Sequence, residues 1–505
     1  MTDLPCSWAR AKFSDLGPWI GGGTPSKRNQ DFWNGPIAWI SPKDMKTTVI
    51  WETIDKITAE AVERSSARCV PPKSVLIVTR SGILAHSLPV ALTGVASALN
   101  QDLKAMVPPD GILGDYIAWA LRAFEHRILR TCRKGGTTVP SIEMPRLSVF
   151  EIPVAPTNEQ RRIVERIEAL FEDIDRGVES LKAAKNGIAL YRQSLLKSAF
   201  EGRLTANWRA QNLDKVETPD ALLARIRKER EARYQAALEE WEQAVSEWRN
   251  DGKEGKRPAK PKLPERFDLL CMSDHLPWPR ARVQVLLNAP LINGRSVKDK
   301  AGGFPVLRLT ALKNGRIDFR KSKEGDWSRD DAEPFFVQRG DIFIARGNGS
   351  KKLVGIAGLI LDDPIPIAFP DTMIRARLDT SAVQPEYIVL AWNSSIVRRQ
   401  IEKAARTTAG IYKINQGHIC EFVLPLPSLA EQAELVQVLQ GRLEVAEELD
   451  LEIEASLARA DALRQSILKE AFSGQLVPQD LDDEHASDLL ERIKAERAMT
   501  PVTKR

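Results

Sequence analysis

The sequence predicts an α+β protein of duplicated design: two α/β units with curved sheets, separated by two long antiparallel helices that form a coiled coil. Three observations lead there. First, the stretch 157–204 occurs twice. Its end, Arg192-Gln193-Ser194-Leu195-Leu196-Lys197-Ser198-Ala199-Phe200-Glu201-Gly202-Arg203-Leu204, answers Arg464-Gln465-Ser466-Ile467-Leu468-Lys469-Glu470-Ala471-Phe472-Ser473-Gly474-Gln475-Leu476, identical at nine of 13 positions and offset by 272. Its start matches at the same offset, Glu159-Gln160 against Glu431-Gln432. Two matches at one offset mean an internal duplication. Second, each copy carries apolar residues mostly three, four or seven apart, the spacing of a helix with one apolar seam. Third, the blocks outside these stretches hold short β-forming runs bounded by Gly and Pro, again in matching pairs.

The first block, 1–156, contains the β-rich run Val75-Leu76-Ile77-Val78-Thr79 and a helical stretch over 115–130. The first long helix, 157–204, has Ile163, Ile167, Leu170, Ile174, Val178, Leu181, Ile188, Leu195, Ala199 and Phe200 on its apolar side. Thr157 and Gln160 can form a capping box, and Gly202 sits where a helix should stop. At roughly 1.5 Å per residue such a helix is about 65 Å long. It cannot bury its seam alone. The expected partner is the second copy, 428–476, with Leu435, Leu439, Leu443, Ala446, Ile453, Leu457, Ala460, Leu463, Ile467 and Phe472. Of these, Ile163, Ile167, Ile174, Leu181, Leu195, Phe200, Leu435, Leu439, Ile453, Leu463, Ile467 and Phe472 are the expected coiled-coil and subunit contacts. The alternative is that each helix packs on its neighbouring block.

Between the halves, 205–265 reads as a charged helix over 219–250 followed by a Lys/Gly/Pro linker with almost nothing apolar. The second block, 266–427, repeats landmarks of the first. Pro305-Val306-Leu307 answers Pro36-Ile37-Ala38, Tyr387-Ile388 answers Tyr116-Ile117, and Thr407-Thr408 answers Thr137-Thr138. Ile342-Phe343-Ile344-Ala345-Arg346 answers the strand that ends at Thr79-Arg80. A C-terminal helical tail, 477–505, repeats the Leu-Leu…Arg-Ile pattern of 221–230.

Composition narrows the class. The chain is 505 residues long, with net charge +5, 43% hydrophobic and 28% charged residues, ordinary for a protein with globular cores. The charge is divided: 1–156 carries +4 and 266–427 carries +7, whereas 428–505 carries −8. Basic globular blocks suggest a polyanion partner. The five cysteines are scattered without a C-x-x-C pair, which fits a reducing cytoplasm and argues against disulfides or a zinc site. No run approaches the ~18 apolar residues of a membrane span. Gly347-Asn348-Gly349-Ser350-Lys351-Lys352 lacks phosphate-loop spacing, and Gly21-Gly22-Gly23-Thr24 is expected to be a turn rather than a cofactor cradle. No metal-spaced cluster and no Asn/Asp-Pro-Pro-aromatic signature of an amino-methyltransferase is present. A twofold, basic chain without catalytic motifs reads as a bipartite binder. A self-contained nuclease or methyltransferase with a cryptic site, or a coiled-coil scaffold without a DNA role, are the alternatives.

Several stretches carry a family resemblance. They are Gly22-Gly23-Thr24-Pro25-Ser26-Lys27 with Ile37-Ala38-Trp39-Ile40 and Asp44-Met45, the Glu159-Gln160 and Glu431-Gln432 helix entries, the repeat ending Ala471-Phe472-Ser473-Gly474-Gln475-Leu476, and Ala495-Glu496-Arg497. In these the chain resembles the specificity subunit of type I restriction-modification systems. The resemblance implies two target recognition domains, each reading one half of a split site in double-stranded DNA. It implies helices that space them and bind two modification subunits. It implies one copy per complex, further restriction/translocase subunits, and no membrane. It places no cofactor on this chain, and S-adenosylmethionine, ATP and Mg on the partners. The departure is the long insertion over 234–262.

Reading DNA needs side chains at base edges, with Lys and Arg on phosphates for affinity. The candidates are Lys27, Arg28, Lys43 and Arg80 in the first block. In the second they are Arg308, Lys313, Arg346, Asn348, Lys351, Lys352, Thr407, Thr408 and Lys413. Arg80 and Arg346 stand out because both are expected to follow the matching strand.

Overall fold

The computed structural model describes residues 4–134, 139–252, 256–261, 268–270, 276–408 and 410–499; the side chain of Thr408 is not among the described atoms. The expected Thr137-Thr138 pair and part of the linker, including Lys262, lie outside these residues. The chain forms two compact units, Met1–Ala183 with Ile453–Arg505, and Ala184–Glu452. The six stretches read from the sequence are divisions by expected secondary structure. Compactness groups them differently: each unit takes one block, part of each long helix, and one of the two shorter helical segments.

The first unit is built on a five-stranded sheet. Its order is Trp19–Gly21, Leu103–Met106, Val75–Val78, Val90–Thr93, Val49–Ile50. The run Val75–Val78 is central and buried on both faces, which is why it reads as continuous β-formers without alternation. A second sheet of four strands contains the long strand Trp33–Ile40. Helix Gly114–Ala123 lies against the first sheet, and strands Ala9–Lys12 and Glu151–Val154 pair as the block's entry and exit.

The second unit repeats this frame. Its sheet runs Ile292–Asn293, Met373–Ala376, Ile342–Ala345, Ala357–Leu359, Arg316–Ile317, Leu312–Lys313. Entry and exit strands Arg280–Arg282 and Val423–Pro425 pair as their counterparts do. Helix Pro385–Trp392 takes the place of Gly114–Ala123. Tyr116 donates its hydroxyl to Pro153 O at 3.0 Å, and Tyr387 donates to Pro425 O at 2.8 Å. The landmark tyrosines are therefore the same pin used twice.

The long helices are Thr157–Phe200 and Leu429–Ala471. Both end in a Schellman turn: Gly202 and Gly474 take φ +76° and +75°, and Arg203 N–H and Gln475 N–H reach back to Ser198 O and Glu470 O. Proline rings pack on both glycines, Pro277 on Gly202 and Pro5 on Gly474. Within the first unit, Ile163 and Ile167 cluster with Ile467, Ala471 and Phe472, while Asp175 pairs with Arg464. Within the second, Leu195 and Phe200 cluster with Leu435 and Leu439, while Arg192 bonds Asp450 at 2.6 Å. Either set alone requires antiparallel helices.

The seam is not uniform. Ile163, Ile167, Leu195, Phe200, Leu435, Leu439, Ile467 and Phe472 belong to the block cores, so the helix ends pack on the blocks as well as on each other. Ile453 is buried, whereas Ile174 and Leu181 are half-buried. Leu463 is 51% exposed, so the expected inward seam position instead faces outward. Leu190, Tyr191, Val445 and Leu449, in the second unit, are also exposed.

The Glu-Gln pair that opens each helix locks block to helix. Gln160 accepts from Leu113 N–H and donates to Ala155 O; Gln432 accepts from Gln384 N–H and donates to Pro427 O. Glu159 accepts from Trp8 Nε1 at 2.9 Å and from Gln479 Nε2. Glu431 accepts from Trp278 Nε1 at 2.8 Å, Thr205 Oγ1 at 2.7 Å and Arg209 Nη2 at 2.6 Å. The two anchors thus differ: the second contains a buried ion pair.

The tail helix Ala486–Met499 docks on the first block through Leu489 and Ile493, as Leu222 and Ile226 of helix Pro219–Asn250 dock on the second. Beyond that docking the insertion folds on itself. Trp241 donates to Pro258 O at 3.0 Å, and Lys260 lies over the Trp241 ring.

Candidate nucleic-acid interface

In the first unit the candidate cations do not form one patch. Lys27 and Arg28 are exposed on a turn that runs back along strand Trp33–Ile40. Gly22 and Gly23 allow that course. A Cβ on Gly22 would lie 2.3 Å from Asn100 O, and one on Gly23 would lie 2.3 Å from Ser66 O. The glycine run is thus a close backbone crossing and not the expected turn: Gly21 ends the strand Trp19–Gly21, and Gly22 and Gly23 pass against neighbouring carbonyls. Lys43 is exposed at the far end of the same strand, in a turn tied by the Asp44 carboxylate to Ser41 N–H and Oγ and to Ile54 N–H. Arg80 is exposed beside a bridge to Ser141.

Arg80 and Arg346 are not equivalents, contrary to the sequence alignment. Thr79 N–H donates to Asp102 O, and Thr79 O accepts from Ile142 N–H. Arg346 makes the same pair of bonds with Thr372 O and Ile414 N–H. Arg346 therefore corresponds to Thr79, and Arg80 to Gly347, which pairs with Lys413 as Arg80 pairs with Ser141. The β-run is one residue shorter before Arg346 than before Arg80, and side-chain direction alternates along a strand, so this slip changes the face.

In the second unit the structure gathers part of the set. Gly347–Asn348, Ile411–Lys413 and Arg406–Thr408 form a three-stranded sheet with Ile411–Lys413 in the middle. Gly347, Lys413 and Arg406 form one row across it, and Asn348, Tyr412 and Thr407 the next. Directly opposed residues share a face. Tyr412 packs partly against the block core, although Thr407 across from it at the sheet edge is exposed, and the Lys413–Arg406 row faces solvent. Arg346 lies one row deeper, against buried Ile414, and is half-buried. The Asn348 carboxamide oxygen is engaged by Ser350 N–H at 2.9 Å and shapes the following turn. Lys351 and Lys352 project from that turn; their carbonyls accept from Arg398.

The remaining candidates lie apart. Arg308 braces a hairpin, donating to Ser322 O and to the Asp299 carboxylate, each at 3.2 Å. Lys313 sits on the outermost strand of the six-stranded sheet, level through Arg316 and Leu359 with Ile342, the start of the strand that Arg346 follows. It is therefore remote from the three-stranded sheet, and its neighbour Asn314 bonds Glu447 on the long helix. Arg406, Ile411 and Tyr412 were not among the sequence candidates. The only sequence signal for them is Gly410 between β-formers, and Gly410 does take φ +77°. Among the described residues no three His, Cys, Asp or Glu side chains gather as a metal site. No helix among them is long and apolar enough to cross a membrane.

Residues 5–182 match the family model described as "Type I restriction modification DNA specificity domain". The chain is 46% identical over 168 residues to the EcoR124I/EcoR124II specificity subunit of Escherichia coli, a match spanning 32% of this chain and 42% of that one. It is 26% identical over 402 residues to the EcoKI specificity subunit of Escherichia coli strain K12, covering 77% of this chain and 73% of the relative. A chain from a structure of type I restriction-modification complex assembly and conformational transition superposes with TM-score 0.62 at 15% identity, over 94% of this chain and all of that one, which shows a shared fold. Residues 5–182 thus match a DNA specificity domain, and the chain is similar over most of its length to specificity subunits of type I restriction enzymes.

Proposed function

We propose that this chain is the DNA-reading, non-catalytic subunit of a type I complex, recognising a bipartite, asymmetric site with one unit per half-site. The observation that carries this is a frame repeated in its central strands beneath surfaces that differ. Both units share the order of five sheet strands, the tyrosine pin and the Glu-Gln lock, but the residues bridged just beyond the buried strand differ: Arg80, Ser141 and Arg133 in the first, Gly347, Lys413 and Arg406 in the second. Two copies of one reader with different faces suit two unrelated half-sites. In this reading the long helices hold the readers and offer Leu190, Tyr191, Val445 and Leu449 to two modification subunits. Those partners bring S-adenosylmethionine. Restriction/translocase subunits bring ATP and Mg, one copy of this chain serves each complex, and the assembly works in the cytoplasm.

The test is exchange of 1–156 for the corresponding block of another specificity subunit, followed by methylation mapping with the partner subunits present. One half-site should change and the other persist. A change in both halves would overturn the modular reading.

A further inference from the structure

The outward face of the three-stranded sheet carries an apolar residue among its cations. Ile411 is 42% exposed. It stands two residues from Lys413 on the central strand and so shares its face, with Arg406 directly across from Lys413. A lone exposed isoleucine is ordinary on a protein surface. This one differs in its setting, on the outward face of a hairpin that also carries Lys413 and Arg406. The hairpin is also slim. A Cβ on Gly349 or Gly410 would meet nothing within 4 Å, and Gly347, in the Lys413 row, adds no side chain. Paired strands lie about 4.8 Å apart, and the major groove, about 12 Å wide, admits such a ribbon.

We infer that this hairpin enters the major groove of the half-site read by the second unit, with Ile411 against the C5-methyl group of a thymine and Lys413 and Arg406 on flanking phosphates or guanine edges. The inference rests on the DNA-reading function proposed above. The thymine methyl is the only apolar group that base edges present in that groove, and it alone gives an isoleucine something to read. Tyr412 faces the block core and fixes the tilt of the hairpin instead of reading a base.

The experiment uses the complex assembled with its modification subunits, and duplexes in which each thymine of that half-site is replaced in turn by deoxyuridine, which removes only the methyl group. The wild-type complex should bind about fourfold more weakly at one position, the worth of one buried methyl group. With Ile411→Ala that position should become indifferent to the replacement, while Ile411→Val should keep most of the response. Sequence-selective binding without any such position, or a response unchanged in Ile411→Ala, would overturn the assignment and leave the DNA-reading function standing. Loss of all sequence selectivity in the wild-type complex would instead defeat that function itself.

Discussion

Glu431 and Glu159 occupy equivalent positions, yet their replacement by glutamine should have unequal consequences. Glu431 is fully buried and receives three donors, from Trp278, Thr205 and Arg209. The Arg209 side chain is only 18% exposed and stacks on the Trp278 ring at 5.1 Å. Glu431→Gln keeps the shape but removes the charge that balances Arg209, and it turns an NH2 group toward existing donors. Breaking a buried pair in this way costs about 3–5 kcal/mol. Arg209 retains some water and a bond to Gly202 O at 3.0 Å, which places the cost near the lower end, about 3 kcal/mol. At about 2–4 °C per kcal/mol for a unit of this size, the midpoint should fall by about 6–12 °C. Glu159 bonds only neutral donors, Trp8 and Gln479, so Glu159→Gln leaves no unbalanced cation and loses one hydrogen bond where its NH2 group meets a donor, about 1–2 kcal/mol. Thermal unfolding of the full chain gives the midpoints, and hydrogen exchange over 205–211 localises the loss to the second anchor. Equal shifts for the two variants would refute the argument that the ion pair separates them.

Burial raises the Glu159 carboxyl above its ordinary value of 4.5. The native state therefore holds this proton to higher pH than the unfolded chain does, so the group's contribution to stability is present at low pH and declines as pH rises from about 4.5 through the raised native value. Urea midpoints measured across that window should decline less steeply in Glu159→Gln; an unchanged slope would contradict the assignment. Gly23→Ala must push against the Ser66 carbonyl and should cost about 1–3 kcal/mol in the first unit, read by hydrogen exchange there. Gly177→Ala, with open space around it, should instead stabilise its helix by up to about 1 kcal/mol in a melting experiment.

The frame was legible because it is written in regular periods. The 272-residue offset, the seam spacing and the strand runs each depend on local pattern, and the structure returns them as two blocks and two antiparallel helices. The function of Glu159-Gln160 and Glu431-Gln432 was not legible, although the motifs themselves were. Their partners Trp8, Gln479, Trp278 and Arg209 lie 151 to 320 residues away in no fixed pattern, and only tertiary folding brings them together. The candidate interface was the least legible part. Charge pointed to Arg308 and Lys313, whose environments are a hairpin brace and a distant sheet edge. Ile411 carries no charge and Arg406 no motif, so no local pattern points to either as part of the proposed interface.

The one-residue slip at Arg80 and Arg346 shows why a duplicated frame can diverge in its surface at little structural cost. The strands Val75–Val78 and Ile342–Ala345 are buried on both faces and held by neighbours in the same order, so selection for folding fixes them. Immediately beyond the last buried residue that constraint ends. Thr79 is buried where Arg346 is half-buried, and Arg80 is exposed where Gly347 has no side chain at all. Chemistry at these positions can change without disturbing the ladder, because the bonds at Thr79 and Arg346 are made by the backbone and any residue can supply them. A recognition surface placed at the ends of buried strands therefore varies freely in its side chains and hardly at all in its position. Under the proposed DNA-reading function, that combination would let one scaffold serve two different half-sites.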